Sequence, residues 1–351
     1  MIASIINPAE DKRWDKFVRA HKFGTIFHLA DWSEVLRKTF SYEPVYIVLE
    51  ENGNIRAGLP FMKIDSWLTG KRLISLPRTS YCDPLVETEE ELAMILQTAG
   101  EMVDEQKMDF FEIKTQKNAD LLSDSGIRYY DHFRNQILDL EAGPEKLWAR
   151  FHRTCVRQRI MKAQKDQVTV RIGDTFRDLE IFYDLHKSTT KKHKVAPRPF
   201  SFFNNIRDTF GDKKKVKFLI AEKDGTVGAA ALFLISGESI IFEFHGINYN
   251  LIEHSPGHLI VWEAIQMACK EGLKYFDFGL TPPDNIGLLN YKTRWGGSDA
   301  VLRYFYYPDV RGYKAFVKKT EAPEELNTSR LHLIKHKVKT FAAEKLYRHL
   351  G

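Results

Sequence analysis

At 351 residues the chain is longer than one hydrophobic core usually organises, so two domains are expected. Its 43% hydrophobic and 28% charged residues exclude a disordered or fibrous class, and a net charge of +5 permits an anionic ligand without demanding one. Three widely spaced cysteines, Cys82, Cys155 and Cys269, exclude a disulfide framework and a cysteine-based metal site. The longest apolar run, residues 228–235, is too short to span a bilayer, and the amino-terminal residues lack the basic and apolar regions of a signal peptide. A cytoplasmic location is therefore expected. The 24 Phe and 14 Tyr suit much buried sheet and an aromatic-lined groove.

In chain order, residues 10–22 and 30–40 have helical spacing, with Asp31 read as the cap of the second helix. PVYIVLE, IRAGLPFMKI and RLISLP follow as a three-strand meander, with turns at Asn52-Gly53 and Thr69-Gly70. A helix over 89–106 leads into the strand MDFFEIKT. The later half repeats this order. A helix ends at DTFGDKKK, and KFLIAE, VGAAALFLI and SIIFEFHGI form the next meander. A helix reaching Glu271 then leads into LKYFDFGLT. Thr39-Phe40 corresponds to Thr209-Phe210, Gly53 to Gly225, and Phe110 to Tyr275, at separations of 165 to 172 residues. One α/β unit, a mixed sheet flanked by helices, is therefore duplicated. The expected boundaries are 1–143, 144–310 and a carboxy-terminal helical extension over 311–351.

Residues 146–165, between the copies, carry Arg150, Arg153, Arg157, Arg159 and Lys162 and no acid. Arg150, Arg153 and Arg157 share one face if the segment is a single helix. An anion clamp using Arg157 and Arg159 is one reading, and a solvated basic face is the other. DNA binding has no further support, because no aromatic stacking run accompanies these charges. Residues 328–350 form a basic amphipathic pattern with Leu331, Ile334, Val338, Phe341 and Leu346 as the apolar stripe. Packing on the second domain is expected of it, with peripheral membrane contact as the alternative.

Residues 239–297 form the working half: strand, helix, strand, then a loop rich in Gly, Tyr, Lys and Trp. In open α/β sheets ligands bind at such carboxyl ends. A helix opening at Pro256-Gly257, a strand ending Phe276-Asp277-Phe278-Gly279, and a loop with Asn290-Tyr291-Lys292 and Trp295-Gly296-Gly297 resemble the second domain of FemAB-like transferases. FHLADW, GLPF, R-x-R-I-x-K-A (residues 157–163), DLHKSTTKKHKVAP and LYRHLG agree with the resemblance, which covers nearly the whole chain.

These are tandem GNAT-fold enzymes. The resemblance implies two GNAT-like domains, the first non-catalytic and on the acceptor side, the second catalytic. It also implies that an acyl or aminoacyl group passes from acyl-CoA or aminoacyl-tRNA to an amine of a small metabolite or a cell-wall or polysaccharide precursor. Acyl-CoA would be a co-substrate, and no tightly bound cofactor or metal is expected. Departures from the family are plain. Only Gly257 remains of the glycine-rich pyrophosphate cradle, the region 211–218 is a short basic turn where tRNA-using relatives have a long helical arm, and Leu36 stands where the family tends to have Lys.

Transfer to an amine needs a proton acceptor, a stabilised oxyanion and a protonated leaving group. Lys292 matches the family's loop lysine and would hold the oxyanion or a substrate phosphate. Asp277, on a buried strand, would orient Lys292 or cap the adjacent loop. Glu243 and His245, two apart on one strand, should share a face opposite Phe242 and Phe244, as proton acceptors or as satisfied core polar groups. Tyr291, Arg294 and Trp295 would line the acceptor groove, or Trp295 would pack the loop down. His186 and His193 are acceptor-side candidates. Ser255 as helix cap, Gly257 and His258 would meet the donor at a helix amino end. The competing reading is a binding or scaffold protein in which both copies have lost their chemistry.

Overall fold

The computed structural model describes residues 1–67 and 70–309. These fall into two units, one of Met1–Asp131 together with residues 302–309, the other of His132–Val301. The chain passes into the second unit at 131/132, where 143/144 was expected, and returns to the first at 301/302; the expected boundary at 310/311 lies at the edge of the described residues. The carboxy-terminal pattern over 328–350, like the turn residue Thr69, lies outside the described residues.

The first unit runs β1 (Ile2–Ile6), α1 (Lys12–Ala20), α2 (Ala30–Phe40), β2 (Glu43–Glu51), β3 (Asn54–Ser66), β4 (Gly70–Ile74), α3 (Glu89–Glu105), β5 (Phe110–Thr115), α4 (Ala119–Ser123) and the start of β6 (Arg128–Asp139). The second continues with α5 (Gly143–Arg150), α6 (Gln158–Lys165), β7 (Thr169–Gly173), α7 (Phe176–Lys192), α8 (Phe200–Phe210), β8 (Val216–Lys223), β9 (Thr226–Ser236), β10 (Ser239–Ile247), α9 (Pro256–Lys270), β11 (Tyr275–Thr281), α10 (Ile286–Thr293) and the start of β12 (Ser298–Tyr307).

The duplication is visible in strand pairing. β1 through β5 are neighbours in order, as are β7 through β11; within each set all pairs are antiparallel except the last, β4–β5 and β10–β11, which is parallel. A sixth strand closes each row by exchange. β6 follows β5 in sequence but pairs with β11, whereas β12 follows β11 but pairs with β5. The sequence reading contains neither exchanged strand. Both are rich in charged and polar side chains, and their partners lie 136 or more residues away in sequence, so no local turn announces them.

Each row is covered by helices because its residues are apolar on both faces. In the second unit α9, α5 and α6 enclose a core containing Phe233, Ile240, Trp262, Phe276 and Trp295. On the opposite face, rings of α7 and α8 (Phe182, Phe202, Phe203) gather around Phe244.

Two local expectations change. Asp31 lies in the first turn of α2, whose cap position is Leu29; the free Ala30 amide donates instead to Asp15 Oδ1 from α1 at 2.9 Å. The junction is not one helix either. α5 ends at Phe151, whose backbone is extended, and a π-helical turn, Arg153–Arg157, precedes α6, so Arg150 does not share a continuous face with Arg153 and Arg157.

Candidate active site

The site forms where two strands part. β10 and β11 pair in parallel from Ser239↔Tyr275 to Ile241↔Asp277, and the register goes no further among the described residues. Both strands are irregular at that level. β10 bulges between Phe242 and Phe244 against β9, and β11 bulges between Asp277 and Leu280 against β6. Gly279 takes φ +73° there, and a Cβ on it would meet the Phe242 carbonyl oxygen at 3.0 Å, so glycine is required twice over.

Lys292 is fixed at this parting. The loop expected after β11 contains α10, which places Lys292 in its last turn with only 5% of its surface exposed. Its Nζ donates to the carbonyls of Gly279 (2.6 Å) and Leu280 (3.2 Å). An ammonium has three N–H donors, so one remains uncommitted among the described residues. Burial pulls the Lys292 pKa down to about 8, while the carboxylates of Asp277 and Glu243 act to hold the charge. The reading of Lys292 as a surface residue is excluded.

Asp277 is 2% exposed. Its Oδ1 accepts from the Gly279 amide at 2.7 Å and its Oδ2 from Asn135 Nδ2 at 3.0 Å. It caps the bulge, and its carboxylate favours the charged form of Lys292. Asn135, buried on the exchanged strand β6, is a residue that sequence reasoning misses because β6 seems to belong to the first domain.

The bulge also overturns the strict alternation expected on β10. Phe242 contacts His245 with ring centroids 5.5 Å apart and stacks on Phe233, whereas Phe244 packs against Phe202 and Phe203 on the other face. Phe242 and Phe244 therefore lie on opposite faces. His245 is exposed by surface area, yet many protein atoms crowd around it. That withdrawal from bulk water lowers its pKa to about 4, and His186, His193 and Lys292 add to the shift. Exposed His193, at the end of α7, reaches the Tyr249 hydroxyl at 3.4 Å. Glu243, His245, His193 and Lys292 are thus brought to one place.

His186 lies in the core. It is 7% exposed, stacks on Phe182, and its Nδ1 lies 3.3 Å from the His245 carbonyl oxygen. Trp295 is fully buried against Phe151, Phe278 and His258, so it packs the loop down and lines no groove. Tyr291 sits beside His258 and Trp295, and burial pushes its hydroxyl pKa up to about 12, tempered by the Trp295 side chain. Arg294 is exposed, its carbonyl accepting from the His152 amide at 3.0 Å.

The donor-side candidates meet at the amino end of α9. Ser255 occupies the cap position in a left-handed conformation with no side-chain cap bond, a correction to its expected role, and Pro256 opens the helix beside Gly257. α6 packs on α9, and Arg159 is near enough to His258 to depress its pKa, which burial carries down to about 4. The exposed Arg159 therefore stands near His258 by a helix amino terminus, an anion-friendly arrangement, whereas nothing among the described residues places the half-buried Arg157 there.

These imidazoles make stability pH-dependent. His186, His245 and His258 each have a folded pKa of about 4, below the unfolded value near 6.5, so between those values only the unfolded chain takes up their protons. Stability is present above pH 6.5 and is lost as pH falls toward 4. The thermal midpoint is expected to drop across that window; a level midpoint from pH 7 to 4.5 would contradict it.

Comparison with known proteins now has a geometry to rest on. Residues 150–293, inside the second unit, match the acetyltransferase (GNAT) domain family. Over those residues the chain is similar to that family. It is similar, at 20% identity over 297 residues, to the UDP-N-acetylmuramoylpentapeptide-lysine N(6)-alanyltransferase of Weissella viridescens, covering 79% of this chain and 86% of that protein. The solved structure of FemX matches with a TM-score of 0.69 at 17% identity, over 87% of this chain and 97% of that one. A tandem GNAT protein from the clavulanic acid biosynthesis pathway matches at 0.55 and 9%, over 87% and 97%. The expected FemAB-like resemblance and tandem GNAT fold stand, and the matched residues enclose Glu243, His245, Asp277 and Lys292.

Proposed function

We propose that the protein is an N-acyltransferase that moves an acyl or aminoacyl group from an activated donor to an amine. The observation that carries this reading is the buried Lys292 ammonium at the parting of β10 and β11, with two donors tied to carbonyl oxygens and one uncommitted. As the amine nitrogen bonds to the donor carbonyl carbon, negative charge develops on that oxygen, and the third N–H of Lys292 donates to it. Held in place beforehand, such a donor stabilises the transition state more than the ground state. The His245 imidazole, neutral at pH 7, accepts the proton that the attacking nitrogen loses. The C–S or C–O bond of the donor then breaks, and the leaving group takes up a proton.

The acceptor in this reading is an amine of a cell-wall precursor, supported by the similarity to the alanyltransferase, and the reaction is cytoplasmic. Arg159 and the amino end of α9 would receive the donor's phosphates. The first unit serves binding. Where the second unit has Asp277 and Gly279, the first has Glu112 and Lys114, buried and paired with each other at 3.6 Å, so its lysine is already neutralised from within its own strand.

Thermal shift with acetyl-CoA, longer acyl-CoAs, free CoA and uncharged tRNA tests the donor. A ligand at a hundredfold excess over its dissociation constant adds about 2.7 kcal/mol to stability. A rise with a CoA species identifies a thioester donor, and a rise with tRNA alone identifies aminoacyl transfer. No rise with any of them counts against the enzyme and for the non-catalytic reading.

A further inference from the structure

The first unit holds a concave surface that acyl transfer does not use. An open groove of about 540 Å³ lies among α3, α4 and the end of β12. Its floor is apolar, with Leu92, Leu96, Phe111 and Tyr307. Tyr307 stacks on Phe111 at 5.5 Å and rests over Gly100, where even a Cβ would meet its ring at 3.4 Å. The rim is acidic: Glu89, Glu101 and Asp104 from α3, and Asp124 just beyond α4.

These charges are unbalanced. No Lys or Arg lines the groove, and none of the four carboxylates forms an ion pair among the described residues; Glu101 accepts only from the neutral Gln97 amide at 2.9 Å. α3 contains no basic residue and ends on Asp104 and Glu105, where the helix dipole disfavours negative charge. An apolar floor between unbalanced carboxylates suits the apolar face of a cationic amphipathic segment.

The chain carries such a segment. Residues 310–351 hold ten Lys and Arg against four Asp and Glu, while residues 1–309 hold 42 against 43. Leu331, Ile334, Val338 and Phe341 recur at helical spacing, with Lys335 and Lys339 on one flank of the stripe and Arg330, Lys337 and Arg348 on the other. The tether also starts at the groove, since Tyr307 lines it and residue 310 follows three positions later. Eighteen residues, 310 to 327, span at most roughly 60 Å when fully extended, so residues 328–350 are within reach of the groove. We propose that residues 328–350 dock into this groove, apolar stripe down, with their basic flanks against the α3 and α4 carboxylates.

Amide hydrogen exchange of the full-length protein tests this. Exchange across residues 328–350 is expected to be at least tenfold slower than in a synthetic peptide of the same sequence. The double variant Glu101→Lys/Asp104→Lys, on an exposed helix face, should abolish the protection, and so should Lys335→Glu/Lys339→Glu. Combining all four should restore it, an outcome that general damage to the fold would not give. Peptide-like exchange in the wild type overturns the proposal, as does protection indifferent to the groove charges. Protection that appears only with vesicles containing phosphatidylglycerol assigns the segment to a membrane surface and also overturns it.

Discussion

Replacing Lys292 by Met is expected to lower kcat by about 10²- to 10³-fold, the cost of removing one preorganised oxyanion donor. The measurement uses the donor and acceptor pair that thermal shift identifies, with circular dichroism as the check on folding. Met leaves the Gly279 and Leu280 carbonyls without their donor and Asp277 without its neighbouring cation, so some loss of stability is expected alongside and the rate is compared where the variant is folded. An unchanged kcat in a folded variant would sink the assignment.

The same residue fixes a pH limb. Lys292 titrates at about 8, so the rate should fall tenfold per pH unit above that value as the ammonium is lost. In Lys292→Arg the limb should vanish, since a guanidinium keeps its charge. Unfolding cannot mimic this limb. A lysine whose pKa drops from 10.5 to about 8 on folding leaves the unfolded chain binding more protons between those values, so its contribution makes stability rise with pH there.

The second large effect belongs to Trp295. Truncation to Ala is expected to cost about 3–5 kcal/mol of unfolding free energy, read by urea titration, because a fully buried indole leaves a cavity among Phe151, Phe278 and His258. Trp295→Phe should recover much of this. If Trp295 lined an acceptor groove instead, its loss would raise KM and leave stability near wild type.

A related constraint sits at the end of β10. A Cβ on Gly246 would lie 2.5 Å from the His186 backbone nitrogen and from the Leu185 carbonyl carbon, so α7 crosses this strand in backbone contact. The glycine in SIIFEFHGI is readable as a strand residue; its reason is a helix more than fifty positions earlier in the chain.

The sequence by itself determined the repeated element order, the apolar strands and the polar loop that carries Lys292. Alternating and helical periodicities are local properties, and repetition of the same order at 165 to 172 residues leaves little freedom. Tertiary structure alone decided the rest. It exchanged β6 and β12 between rows, because pairing of polar strands is set by the edges available to them and not by their own pattern. It brought Asn135 to Asp277 across 142 residues. It placed His186 and Trp295 in the core, since an aromatic side chain of the same type serves a groove or a core according to what packs on it. It also bulged β10 and β11 at one level, and a bulge shifts the facing of every later side chain, so one inserted residue separates Phe242 from Phe244.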